Sequence, residues 1–173
     1  MERWGRAFIL ELWIRRQWRI DIPSQGFMSS WMSSMGPSWV SNIDLRSGYH
    51  QIWMREEDLP KTTFRCHYGY FEFVAIPFGL TNSLATFQSC MKNIFHKKIH
   101  KFVLFLFDDI LNYSKTSKEH LHHLEEVLNI LHYQYLFSKL SKCEFGLTEL
   151  LYLGHIIGKY CVKVYMEKII VIF

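Results

Sequence analysis

The chain has 173 residues, 49% hydrophobic and 21% charged, with a formal net charge of +4 and a pI near 8.8. That suffices for one domain with a real core and excludes a disordered chain, while the mild basic bias permits a nucleic-acid partner without requiring one. Cys66, Cys90, Cys143 and Cys161 form neither a C-x-x-C pair nor a zinc spacing with histidine, and no apolar run reaches the roughly 18 residues of a membrane span.

Residues 1–38 contain Trp4, Trp13, Trp18 and Trp31 and a "MSSWMSSMGPS" stretch, with no steady strand or helix period. Glu11 divides the apolar segment that a signal peptide would need unbroken. From Trp39 the elements become legible. "WVSNIDL" reads as a strand, followed by a turn at Ser47-Gly48. "YHQIWM" and "KTTFRCHYGYFEFVAIP" follow, the second alternating and broken at Tyr68-Gly69 as a hairpin would be. A helix is expected next, with Leu84, Phe87, Met91, Ile94 and Phe95 on one face and Thr81, Asn82 or Ser83 as its cap. Lys97, Lys98 and Lys101 lie at its C-terminal end, where the helix dipole favours cations and where a phosphate could also bind.

"KFVLFLFDD" and "ILNYS" read as a hairpin tipped by Asp108 and Asp109. Thr116-x-x-Glu119 is a capping box opening a helix whose stripe of Leu121, Leu124, Leu128, Leu131 and Tyr135 is expected to face the core. The histidines of "EHLHHLEE" are expected on its solvated side. "KLSKCEFG" and "LLYLGHII" add two short strands. The order implies an α+β fold, an antiparallel sheet with helices packed on one face.

An unpaired carboxylate is costly to desolvate, so two adjacent aspartates after an apolar run need a reason. A strand-to-turn exit is one. A metal ion is the other: "SNIDL" also ends in acid at Asp44, and if the two strands are neighbours three carboxylates converge at one sheet edge. Such a set can hold two Mg²⁺ ions for an in-line phosphoryl displacement, and oxygen ligands of short reach suit Mg²⁺ better than His or Cys.

"SNIDLRSGYHQI", "IPFGLTNSLATFQ", "FDDILNYSKTSKEHLHHLEEVL", "KLSKCEFG" and "YLGHII", in that order from about residue 39 to 168, resemble successive motifs of the reverse transcriptases of gypsy-type LTR retrotransposons. The resemblance implies a reverse transcriptase palm over 39–173 and template-directed DNA synthesis from RNA or DNA. Its partners would be a template-primer duplex and deoxynucleotides, and its cofactor two Mg²⁺, with Mn²⁺ as a substitute. It implies that Asp44, Asp108 and Asp109 are the metal ligands and catalytic triad, and that Lys142 is a candidate general acid for the leaving pyrophosphate. By the same resemblance Tyr49 is the gate beneath the sugar, and Phe78 lines the nucleotide pocket. The helix from Thr81 lies under the template, and Tyr152, Leu153, Gly154 and His155 grip the primer backbone.

Several positions depart from the family pattern. Leu106 stands where an aromatic is usual, and Ser83-Leu84 where a small residue and proline are. Asn112 replaces an aliphatic, Cys161 a glycine, and Tyr165-Met166 a common Asp-Pro. Residues 1–38 do not read as the fingers segment that the resemblance would place there. The family peptide "ATVENRYPIP", spelled GCG ACA GTG GAG AAT AGA TAT CCC ATC CCA and read one base later, gives Arg16 to Ser24 of this chain. "FMDEFHGAK" treated likewise gives Ser30 to Pro37. Residues 1–38 are therefore expected to be an out-of-frame, non-native segment, with its tryptophans exposed or packed only locally. Without fingers cations or a thumb, the chain is expected to bind metal yet not extend a primer. A non-catalytic nucleic-acid-binding remnant and an inert pseudogene product are the alternatives. An intracellular location, cytoplasmic or nuclear, is expected.

Overall fold

A computed structural model describes residues 36–80, 82–152, 155–158 and 161–164. The expectations for Trp4, Trp13, Trp18 and Trp31, for Thr81 and for Tyr165-Met166 fall outside those residues. The central layer is a four-stranded antiparallel sheet of β1 (Trp39–Asp44), β4 (Val103–Leu106), β5 (Asp109–Ser114) and β6 (Glu144–Leu147), in the order β4-β5-β1-β6. A separate hairpin is formed by β2 (Phe64–Cys66) and β3 (Gly69–Phe71), and a separate three-stranded sheet by β7 (Glu149–Tyr152), β8 (His155–Gly158) and β9 (Cys161–Val164).

Alternation along the strands sends side chains to two faces. Ile43, Val103 and Ile110 face helix α1 (Ser83–Phe95) and helix α2 (Ser117–Tyr133), packing with Phe87, Met91, Phe95, Val127 and Leu131. Val40, Leu104, Leu111 and Tyr113 face the other way, onto Leu150, Tyr152 and Ile157 of the β7–β8 hairpin. Both helices thus share one face, as the sequence implied, and the terminal hairpin covers the second.

"YHQIWM" is not a strand. Gly48–Gln51 forms a 3-10 turn, and the chain then runs antiparallel to residues 74–76 through Trp53↔Ala75, with the Ile76 amide donating to the Ile52 carbonyl at 3.0 Å. The hairpin predicted at Tyr68-Gly69 is present, turning at His67-Tyr68, with Gly69 at a φ of 130° that a Cβ would disfavour.

At the start of α1, Asn82 occupies the N-cap position without a side-chain cap bond, and Ser83 instead donates to the Pro77 carbonyl at 2.9 Å. The hydroxyl ties the helix start to the preceding loop. Helix α2 carries the expected capping box. The Glu119 amide donates to Thr116 Oγ1 at 3.2 Å and the Thr116 amide to Glu119 Oε2 at 3.3 Å.

The inward stripe of α2 differs from the expectation. Leu121 and Leu128 are 67% and 40% exposed, and Tyr135 lies outside the core, whereas His120, Val127 and Leu131 are buried. His120 sets this phase. Ser41 Oγ lies 2.7 Å from its Nε2 and Ser114 Oγ 3.2 Å from its Nδ1, while the Gly146 amide donates to Ser41 Oγ and His123 Nδ1 meets Ser114 Oγ at 2.7 Å. His123 in turn stacks on Phe102, ring centroids 3.9 Å apart. Two of the histidines expected in solvent are therefore structural. Beyond α1, Lys98 pairs with Glu126 of α2, so this lysine of the basic cluster is an internal strut.

Candidate active site

The β1–β5 register runs from Trp39↔Ser114 to Asp44↔Asp109, so the two aspartates face each other at the end of adjacent antiparallel strands. Asp108 lies beside them in the turn joining β4 to β5. Leu106 pairs with Asp109, leaving Phe107 and Asp108 as a two-residue loop in which only Phe107 has a positive φ, 55°. That is the pattern of a type II′ turn, whose first position glycine ordinarily fills; a bulky residue there stores about 1–3 kcal/mol of strain. The Leu45 amide donates to the Asp108 carbonyl at 2.9 Å, fixing the loop to the end of β1.

Gly48 lets this loop sit close. A Cβ at that position would lie 3.3 Å from Asp108 Cβ and 3.1 Å from the Phe87 ring. Next to it Tyr49 is buried between Phe87 and Phe78, each ring centroid 4.8 Å from its own. Phe78 is brought there by the Ile52–Ile76 bridge and remains open to solvent, a wall rather than a core residue. Burial, and then the Asp108 charge, push the Tyr49 hydroxyl above its usual pKa.

The electrostatics follow from the crowding. Burial raises the Asp109 carboxyl above the usual range; a 3.4 Å bond from Asn42 Nδ2 offsets part of this, and the charges of Asp44 and Asp108 add to it. Lys142, on the 3-10 turn Leu140–Lys142, places Nζ 3.2 Å from Asp44 Oδ2, and that hydrogen bond holds its ammonium above the ordinary lysine value. The turn is anchored by the Lys139 amide, which donates to the Asp44 carbonyl at 2.8 Å.

Six of the residues named from the sequence, Asp44, Asp108, Asp109, Lys142, Tyr49 and Phe78, therefore meet at one end of the sheet. Tyr152 does not join them at the surface. It is 2% exposed beneath the sheet, and its hydroxyl donates to the Asp109 carbonyl at 3.2 Å. His155 is its half-buried partner in the β7–β8 pairing, and Leu153 and Gly154 lie outside the described residues. Two contributors escaped the sequence reading. Gln51 Nε2 donates to the Arg46 and Phe137 carbonyls at 2.6 and 2.9 Å while its Oε1 accepts from the Phe137 amide at 2.6 Å, stapling the segment after Asp44 to the one leading to Lys142. Asn42 carries the bond to Asp109. Both lie in the "SNIDLRSGYHQI" stretch, but amides without a charge gave no signal of a role.

Among the described residues, no three His, Cys, Asp or Glu side chains stand gathered as a finished metal cluster. Asp44 is turned onto Lys142 and Asp109 onto Asn42. The donor set still fits a hard divalent cation. It is all carboxylate, it comes from one sheet end, and its members repel one another in the absence of added positive charge.

The family model described as reverse transcriptase (RNA-dependent DNA polymerase) matches residues 13–157. The chain belongs to the reverse transcriptase family. Among curated reverse transcriptase relatives, the Pol polyprotein of transposon 297 of Drosophila melanogaster is 42% identical over 119 residues, 69% of this chain and 11% of that polyprotein. The gypsy Pol polyprotein of the same fly is 33% identical over 131 residues, 76% of this chain and 13% of that one. An RNA-directed DNA polymerase homolog of Oenothera berteroana is 44% identical over 93 residues, 52% of this chain and 66% of the homolog. The foamy viral protease-reverse transcriptase shares the fold. Its structure with an RNA/DNA hybrid gives a TM-score of 0.69 at 23% identity, covering 79% of this chain and 19% of that one. Its structure with double-stranded DNA gives 0.70 at 24%, covering 76% and 23%. The protein is thus a reverse transcriptase domain of the retrotransposon Pol type with the palm fold, spanning about a tenth of the two fly polyproteins. Reverse transcriptases use divalent metal ions, and no described helix is long and apolar enough to cross a membrane.

Proposed function

We propose that Asp44, Asp108 and Asp109 hold two Mg²⁺ ions, with Mn²⁺ as a substitute, for template-directed addition of deoxynucleotides to a primer 3′-end. The observation that carries this is the Asp44↔Asp109 pairing with Asp108 in the adjoining strained turn. Bound there, the ions would supply Lewis-acid charge for an in-line displacement. Tyr49, wedged between Phe87 and Phe78, offers a rigid floor for a sugar, and the open Phe78 face offers a wall for the nucleotide. Lys142 carries a proton that a pyrophosphate leaving group can take. The Tyr152 hydroxyl steadies the Asp109 backbone from below, and the residues from Tyr152 to His155 would meet the primer backbone. A template-primer duplex is the partner.

Residues 1–38 belong to this reading as an out-of-frame segment without the fingers cations that clamp a triphosphate. Each lost charge-stabilising donor costs about 10²–10³ in rate, so the 173-residue chain alone is expected to bind Mn²⁺ without extending a DNA primer on an RNA template. Primer extension and Mn²⁺ binding, measured on the wild type and Asp108→Asn, test this. Mn²⁺ binding lost in the variant and absent extension support it; extension abolished by the variant shows that the palm suffices; Mn²⁺ binding unchanged by Asp108→Asn refutes the metal site and leaves a nucleic-acid-binding remnant. Sequencing the genomic DNA around the frame tests the shifted segment.

A further inference from the structure

Asp44 and Lys142 form an unequal pair. The Asp44 side chain is 13% exposed and fixed at the end of β1, whereas the Lys142 side chain is 58% exposed on a flexible stem, with Nζ 3.2 Å from Oδ2. The root of that stem cannot drift. The Lys139 amide is bonded to the Asp44 carbonyl and the Lys142 amide to the Lys139 carbonyl, both at 2.8 Å. Gln51 staples the same connection through Phe137. The lysine is thus held within reach of Asp44 while its ammonium is free to swing. It faces a concentration of negative charge, since Asp109 is the cross-strand partner of Asp44 and Asp108 adjoins both. Three carboxylates so placed need a cation when no metal is bound, and the ammonium of Lys142 sits on one of them.

We propose that Lys142 is a resident counter-cation: its ammonium holds the place of a divalent ion on Asp44 Oδ2 and gives up that oxygen when the ion binds. The proposal rests on the reading of Asp44, Asp108 and Asp109 as metal ligands. It adds that loading the site and freeing Lys142 to face a leaving group are one event, coupled in both directions as linkage requires. The cation-for-cation exchange keeps the local charge near balance at each stage.

Mn²⁺ binding to the full chain, followed by water-proton relaxation at low salt, tests this on the wild type, Lys142→Met and Lys142→Arg. Removing a partly exposed competing charge should tighten Mn²⁺ binding roughly 1.5- to 5-fold, the range over which exposed ion pairs act, with Lys142→Arg close to the wild type. Equal or weaker binding by Lys142→Met overturns the proposal. In a Mg²⁺ titration of lysine-labelled protein followed by NMR, the Lys142 side-chain signal should move toward that of a free lysine with the same midpoint as the Asp44 and Asp109 amides. If those amides shift and Lys142 does not, the exchange is refuted and the metal site stands. If neither wild type nor Lys142→Met binds Mn²⁺, the metal reading and the exchange fall together.

Discussion

Asn112 lies on the helix-facing side of β5, between Ser41 of β1 and Val103 of β4. It is fully buried, and neither its amide nitrogen nor its oxygen has a partner among the described residues. A buried polar group left unpaired costs about 1–3 kcal/mol, so Asn112→Val should stabilise the domain by about that much, visible as a raised melting temperature. No change on unfolding would mean that a water satisfies the amide. The sequence made this residue conspicuous, because an amide in the aliphatic frame of "ILNYS" has no reason to be there. His120 was the opposite case. Nothing in "EHLHHLEE" marks one histidine as buried, since its partners Ser41 and Ser114 are distant in sequence. Its hydrogen bonds match when both rings are neutral: Ser41 accepts from Gly146 and donates to His120, which donates to Ser114, which donates to His123. Burial lowers the pKa of both histidines. Above the ordinary imidazole value of about 6.5 the two are neutral in either state and stability is full. As the pH falls below it, the unfolded chain takes up protons the folded one refuses, and stability declines until the lowered folded values are passed. Urea unfolding at pH 7.5 and pH 5 should show that decline, and His120→Gln should flatten it.

At the scale of the element, helix α2 shows how a correct helix can be read with the wrong phase. Its cap, length and amphipathic character were legible from Thr116-x-x-Glu119 and the leucine spacing. Apolar spacing alone draws the stripe through Leu121 and Leu128. The inward face instead begins one position earlier, at a histidine held by two serines, and returns through Val127 to Leu131. The two stripes share Leu131 and part at Leu121, Leu128 and Tyr135, all of them exposed. Leu131→Ala should therefore cost about 2–5 kcal/mol, whereas Leu121→Ala should stay within about 0.5 kcal/mol. Comparable losses from both, in chemical unfolding, would restore the leucine stripe.

Across the whole molecule the sheet divides its labour by face. The helix side holds the larger core, and the opposite side seats the β7–β8 hairpin against Val40, Leu104 and Leu111 and carries Asp44 and Asp109 at its open end. The ordered motifs were enough to read the palm by resemblance, but they left the meeting of Asp44 and Asp109 conditional on their strands being neighbours, which the β1–β5 register supplies. The motifs could not show that the "YLGH" hairpin braces the sheet from behind, since Tyr152 reads equally well as a surface aromatic. Its hydroxyl bond to the Asp109 carbonyl makes a separable prediction. Tyr152→Phe keeps the packing and loses the bond, so stability should fall by only about 0.5–1.5 kcal/mol, with weaker Mn²⁺ binding at Asp109. Unaltered metal affinity would show that the site does not depend on that support.

The sheet order β4-β5-β1-β6 also governs how the chain must fold. β4 and β5 are joined by a two-residue loop and can zip locally, but β1, between β5 and β6, has both its neighbours far downstream in the chain. Until residues 144–147 emerge, β1 has one edge without a partner, and its pairing with β5 already requires a long loop to close. Long-range pairing of this kind is slow and leaves strand edges open to aggregation. Asp44 is carried on β1, so it stays apart from the adjacent pair Asp108 and Asp109 until that long loop closes. The three-way repulsion is met when β1 and β5 pair, and the turn bearing Lys142 joins the site with β6.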